Sequence, residues 1–205
     1  MAAYSDVKAV TITADTVALD ADGISVAASV GNNAALTIGG ALASGGAVAL
    51  SHGRIVTILS AGNDAAKSFT VVGTDVNGDA QTESITGANA GTATGTVFFK
   101  TIASITAVGN PAGNVSAGVN TSAADVIFSG RSRLKGIYLT STATAGTVDF
   151  LNTSPSGTSI MGLSSVGDAD ATRDVVIPDE GVVFNDGIYI EYTVSTFLTM
   201  TVFHA

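Results

Sequence analysis

Apolar and polar residues alternate along this chain in short runs, each closed by glycine, asparagine or aspartate. From Val7 to Leu50 the runs are VKAVTIT, TVAL, GISVAA, AALTI and AVAL, separated by turn signals at DADG (20–23), GNN (31–33) and SGG (44–46). A period of two with such punctuation predicts strands. These first runs are thin, because burying a Val side chain contributes about 1.5 kcal/mol and Ala less. Residues 1–33 therefore read as a strand-forming N-terminal arm that completes the next domain or lies along a neighbouring subunit.

From Arg54 the pattern strengthens through RIVTILS, SFTVVGTDV, QTESITG and GTVFFKTIASITAVG. Ile55, Thr57 and Leu59 stand opposite Val56, Ile58 and Ser60, and Ile102, Ser104 and Thr106 alternate with Ala103, Ile105 and Ala107. The turns recur at the spacing of a sandwich or barrel, so residues 34–108 are expected to form a first β-sandwich. The stretch GNPAGNVSAGVNTSAAD places a Gly/Asn/Ser-rich linker at 109–127. A second β-sandwich is expected over 128–205, with strands in GIYLTST, TVDFLN, DVVIP, GVVFNDGIYIEYT and FLTMTVFH. Tyr138, Phe150, Phe184, Tyr189, Tyr192, Phe197 and Phe203 gather there and predict the better core. In FLTMTVF, Phe197, Thr199, Thr201 and Phe203 fall on one face and Leu198, Met200 and Val202 on the other, as in a central strand or a contact between subunits.

Composition supports this reading. Only 12% of the 205 residues are charged, against about 25% in ordinary globular chains. Abundant Val, Ile and Thr favour strands over helices. The fold class expected is all-β: two small antiparallel β-sandwich or jelly-roll-like domains with an N-terminal extended arm. Seventeen acidic and eight basic residues leave a formal charge of −9, which repels a phosphate backbone and argues against nucleic acid as a partner. The absence of cysteine removes disulfide and thiolate chemistry. The start, MAAYSDVKAVTITADT, lacks the basic and apolar regions of a secretory signal, and no stretch has the uninterrupted apolar length of a membrane helix. Synthesis in the cytosol, with no membrane partner, is the expectation.

The residue inventory is poor in chemistry. A Ser-His-Asp mechanism needs a histidine held beside a serine, yet His52 sits in SHGR, read as a turn before a strand, and His204 is read as a frayed end. Neither HExxH nor a cysteine pair offers a zinc site. The glycines of IGGALASGG (38–46) lack the lysine and following helix of a phosphate cradle. The carboxylates of DADATRD (168–174) and PDEG (178–181) lie in turn-like contexts where they are ordinarily solvated. No catalytic, cofactor-binding or metal-ligating residue is assigned, and no enzyme is expected.

In GTDVNGDAQTE (73–83), Asp75, Asn77 and Asp79 alternate as ligands do in a calcium loop. The glycine of such a loop is displaced to Gly78, however, and Thr86 stands where its final glutamate belongs. Asn77-Gly78 between two β-rich runs instead predicts a type I′ hairpin turn. One basic cluster, Arg131, Arg133 and Lys135 in GRSRLKG, holds three of the eight cations. It reads as a solvated strand entry or as a docking point for an acidic protein surface.

The run GRIVTILSAGNDAAKSFTVVGTDVNGDAQTESITGANAGTATGTVFFKTIASITAVG, 53–109, resembles a β-module of tailed-bacteriophage structural proteins. In that module a strand ending in TSAGND, a TGTD-x-x-G hairpin, a TE-x-(I/L)-TGANAGT turn and an FKT-(I/V)-x-S-(I/V) strand follow in this order; here Leu59 and Val72 stand at the first position of the first two. The segments TVALDADGISVA, LTIGGALASGGAVAL, RLKGIYLTSTATAGTVDF and PDEGVVFNDGIYIEY are similar to the same class. The matching residues form turns and strands, so no functional residue is carried over. The resemblance implies a virion structural protein, foremost a capsid decoration or cement protein on the shell. Its implied partners are the major capsid protein and further copies of itself in a homotrimer, with Arg131, Arg133 and Lys135 as the docking cluster. A tail, adaptor or fibre-base protein is the alternative, and a glycan-binding adhesive module a further one.

Overall fold

The computed structural model describes residues 6–205, so residues 1–5 of the expected arm lie outside the described residues. Fifteen strands follow one another, with no helix among the described residues. They are β1 (Lys8–Thr13), β2 (Asp20–Ser29), β3 (Ala43–Ser44), β4 (Ala47–Ser60), β5 (Ser68–Thr74), β6 (Ala80–Thr86), β7 (Thr92–Val108) and β8 (Asn114–Ser129), then β9 (Ser132–Ser141), β10 (Ala145–Asn152), β11 (Thr158–Val166), β12 (Thr172–Val176), β13 (Val182–Phe184), β14 (Gly187–Thr193) and β15 (Phe197–His204). The fold is all-β with antiparallel pairing. Two compact units divide it, Val17–Ala123 and a second made of Met1–Thr16 with Ala124–Ala205.

In the Val17–Ala123 unit, β7 lies between β4 and β5, and β5 turns back into β6. Ile24, Leu36, Val56, Ile58, Phe69, Val71, Phe99, Ile102 and Ile105 form its core with Val115 and Val119. The simple alternation expected for 102–107 breaks at Ala103. A register shift opposite Val72 and Gly73 leaves that residue without a partner, so Ile102 and Ile105 both turn inward. A larger shift on β4, between Ala49 and Arg54, sets His52 inside a bulged strand and not in a turn before one.

The stretch expected as a linker, 109–127, is for the most part strand β8. Its glycine, alanine and serine are packing residues. Val115, Ala117 and Val119 are wholly buried on one face, and a Cβ on Gly118 would lie 1.8 Å from the Asp20 carbonyl oxygen of β2. Small side chains let two backbones approach that closely, and composition alone does not distinguish this from a flexible tether. The expected arm is likewise divided between the units: β1 is an edge strand on β15, and β2 pairs with β8.

The other unit is a sandwich. One sheet has the order β1-β15-β9-β12, with β13 also on β9, and the facing strands run β11-β10-β14-β8. Phe128 of β8 stacks 5.0 Å from His204 of β15, and Tyr192 of β14 lies 4.9 Å from Phe197 of β15. Leu134, Ile137, Leu139, Val148, Phe150, Phe184, Ile190 and Met200 fill the space between.

Two expectations change here. GVVFNDGIYIEYT divides at Asn185–Asp186 into β13 and β14, which belong to different sheets. In β15 a register shift between Phe197 and Thr199 puts Phe197 inward with Met200 and Val202, while Leu198 and Phe203 face out.

Candidate functional site

The basic cluster lies where β8 turns into β9, and the structure divides its three cations. Arg133 pairs with Val183 of β13, and its Nη1 donates to the Glu180 carbonyl at 3.2 Å, with the Glu180 carboxylate 3.9 Å away. Lys135 Nζ donates to the Asp179 carbonyl at 2.8 Å. Both cations thus bind the turn after β12, where Asp179 holds a positive φ of 53°. They serve a turn of their own chain, which weakens the reading of all three as one docking patch. Arg131 stands apart, exposed, with no hydrogen bond or ion pair to another described residue.

Arg131 borders a cavity of about 330 Å³ lined by Asp6, Lys8, Phe128, Arg131, Ser132, His204 and Ala205. His204 forms its inner wall. Far from being frayed, His204 is only 3% exposed and pairs with Lys8 of β1 and Leu134 of β9. Its Nδ1 lies 3.1 Å from Ser132 Oγ, which donates its single proton to the Ala205 carbonyl at 3.1 Å. Ser132 Oγ thus bridges the imidazole and the Ala205 end of the chain. Burial, and then the nearby Lys8 ammonium, push the His204 pKa below its ordinary value. The pair clasps the end of β15 to the start of β9 beneath the rim that carries Lys8 and Arg131.

The remaining candidates fall into structural roles. In 73–83, Asp75 Oδ1 accepts the amides of Asn77 at 2.8 Å and Asp79 at 2.9 Å, and the Asp75 carbonyl accepts Gly78 N–H at 3.1 Å. Gly78 alone has positive φ, at 89°. The hairpin is present, but as a type I turn followed by a left-handed glycine, because the Asp75 side chain organises the turn before Asn77 has to adopt positive φ. Asp168 and Asp170 sit in the turn before β12, and Asp174 pairs across to Tyr138. No group of three or more His, Cys, Asp or Glu able to hold a metal occurs among the described residues.

A second cavity of about 280 Å³, beside β3, β4 and β7, is lined by Leu42, Ser44, Val48, Thr101, Ile102 and neighbouring alanines, with no titratable group.

The signature turns of 53–109 meet one another. Ser60 N–H donates to the Gly91 carbonyl at 2.9 Å, Asp64 N–H to Ala88 at 2.9 Å, and Ala90 N–H to Gly62 at 2.8 Å. SAGND and TGANAGT are thus two sides of one backbone-paired corner. The fully buried Asp64 carboxylate fixes the chain after β7 by accepting Ala112 N–H at 2.7 Å. Sequence reading found these motifs but not their pairing, nor the burial of Asp64.

One solved structure similar to this chain is the crystal structure of the major capsid protein P2 from Bacteriophage PM2. It aligns over 95% of this chain and 96% of that chain, at 10% identity and a TM-score of 0.25. No protein-family model matches the chain, and no curated protein matches it.

Proposed function

We propose that this chain is a non-enzymatic structural component of a tailed-phage virion, and within it a decoration or cement protein that binds the outside of the capsid lattice. The observation that carries the reading is the ordered set of turns in 53–109. Asp75 there closes a hairpin, and Ser60, Asp64 and Ala90 pair two corners, so the likeness rests on architecture and not on a borrowed active site. Such a protein works by multivalent contact: several modest contacts per assembly must break together before it leaves the shell.

The aromatic side chains Phe150, Phe184, Tyr189, Tyr192 and Phe197 are buried within their own unit and offer no surface for self-association. Strand β11 offers a better surface. Of the strands ending the two sheets, β1, β6, β11 and β12, it alone carries no charged residue, which matters in a chain of net charge −9. Ile160→Lys on β11 is expected to shift a concentration-dependent sedimentation profile toward monomer. An unchanged profile would remove β11 as the contact.

Particle imaging tests the function directly. Cement predicts density distributed over the shell with a copy number that follows the lattice. Release of the protein with detached tails would overturn the shell assignment in favour of a tail or adaptor role.

A further inference from the structure

We propose that the cavity between the β8–β9 turn and β1 is a carboxylate-binding pocket, in which Lys8 and Arg131 hold an acidic side chain of a protein partner against Phe128. The inference rests on the docking reading above and sharpens it to two cations, only one of which belongs to the basic cluster.

Lys8 and Arg131 are both exposed at the rim, and neither forms a hydrogen bond or ion pair through its side chain with another described residue. Arg133 and Lys135 are instead committed to the 179–180 carbonyls. The free guanidinium offers a planar fork that matches a carboxylate in two parallel hydrogen bonds, and the ammonium adds a point charge.

Charge selects the ligand. Lys8 and Arg131 set two cations on the rim beside Asp6 and the chain end at Ala205, and burial and then Lys8 push the His204 pKa below its ordinary value. A carboxylate meets both cations with one negative charge, whereas a phosphate dianion brings two toward the anionic groups of the same rim. Shape agrees: about 330 Å³ with an aromatic wall accommodates the methylene stem of a glutamate beside its charge. The floor is fixed, because Ser132 is held between His204 and the Ala205 carbonyl, so the rim cations converge on a pre-formed surface.

The test uses the full chain and an N-acetylated, C-amidated triglutamate peptide, followed through the backbone amide resonances of Arg131, Ser132 and His204. The expected result is a saturable shift with this peptide, none with its triglutamine counterpart, and only weak competition by inorganic phosphate. Arg131→Gln and Lys8→Gln should each weaken binding about tenfold, while Arg133→Gln leaves it unchanged. Both altered residues are exposed, and an otherwise unchanged amide spectrum verifies the fold.

Absence of a saturable shift, equal binding of the glutamine peptide, or tighter binding of phosphate would overturn the proposal. A chain found on the shell that does not bind the peptide keeps the cement reading and loses the pocket. Peptide binding with unaltered shell occupancy of Arg131→Gln keeps the pocket and loses its role in docking.

Discussion

Arg54 is the largest wholly buried side chain among the described residues. Its Nη1 donates to the Val17 carbonyl at 3.0 Å and its Nη2 to the Asn120 carbonyl. Val17 opens its unit and Asn120 lies near that unit's end, so one guanidinium ties entry to exit. Arg54→Ala would strand both carbonyls beside a void, and a loss of about 3–5 kcal/mol is expected in urea unfolding. Arg54→Met, which keeps the volume, should lose clearly less. Equal losses would mean that the carbonyls, and not the packing, carry the whole effect. Nothing in the alternation of RIVTILS marks Arg54 as internal, since a charged residue at the head of an apolar run reads as a solvated flank.

Glycines in the signature turns separate two kinds of constraint. Gly78 needs positive φ but has open space around it, so Gly78→Ala should cost about 1 kcal/mol. A Cβ on Gly87 would sit 2.7 Å from the Asp64 carbonyl oxygen and 2.8 Å from Asp64 Cβ. Gly87→Ala must push apart the corner that joins SAGND to TGANAGT, and a loss above about 2 kcal/mol is expected. The reverse ranking in denaturation midpoints would contradict this account of why the motif holds glycine there.

At the scale of elements, β10 and β14 set Asp149 directly across from Glu191. Burial, and then the Asp149 charge, raise the Glu191 pKa above the ordinary carboxylate value. The folded state therefore binds this proton more readily than the unfolded chain does. The group's stability contribution is greatest below its unfolded pKa and is lost as pH rises through the folded one. Glu191→Gln should stabilise the protein near neutral pH by about 0.5 kcal/mol, the scale of a like-charge cross-strand pair. The gain should vanish in acid, and a gain independent of pH would exclude charge as its cause.

The strands over 136–142 and 147–152 were legible because their apolar residues alternate, and that over 197–204 as a strand although its register shift moves Phe197 to the inner face. Strand β11 was not, since TSIMGLSSV buries only Leu163 and Ser165 and its serines read as loop. Strand β8 was missed because close packing and flexibility call for the same small residues. Of the candidate site, Arg131 was legible as a charge in a cluster. Lys8 and His204 were not, because pairing of β1 with β15 brings them together across nearly the whole chain.

For the molecule as a whole, the division of the chain has consequences that separate folding from docking. Val17–Ala123 is continuous in sequence and contains its own core, from Ile24 to Val119. The other unit needs its first segment: β1 pairs with β15 along Lys8–Thr13, Asp15 N–H donates to Tyr192 Oη at 3.2 Å, and Tyr192 Oη donates to Asp125 at 3.2 Å. Residues 17–123 expressed alone are therefore expected to give a dispersed amide spectrum and cooperative unfolding. Residues 124–205 alone should not, because the β15 edge is bare and the buried Tyr192 loses a partner. Adding a peptide of residues 1–16 should restore order to the latter. If 124–205 folds unaided with the stability it has in the full chain, β1 is dispensable and deletion of the N-terminus becomes a clean probe of docking. If it does not, loss of shell occupancy after such a deletion reports unfolding, and point changes at Lys8 and Arg131 are the sound way to ask what this surface binds.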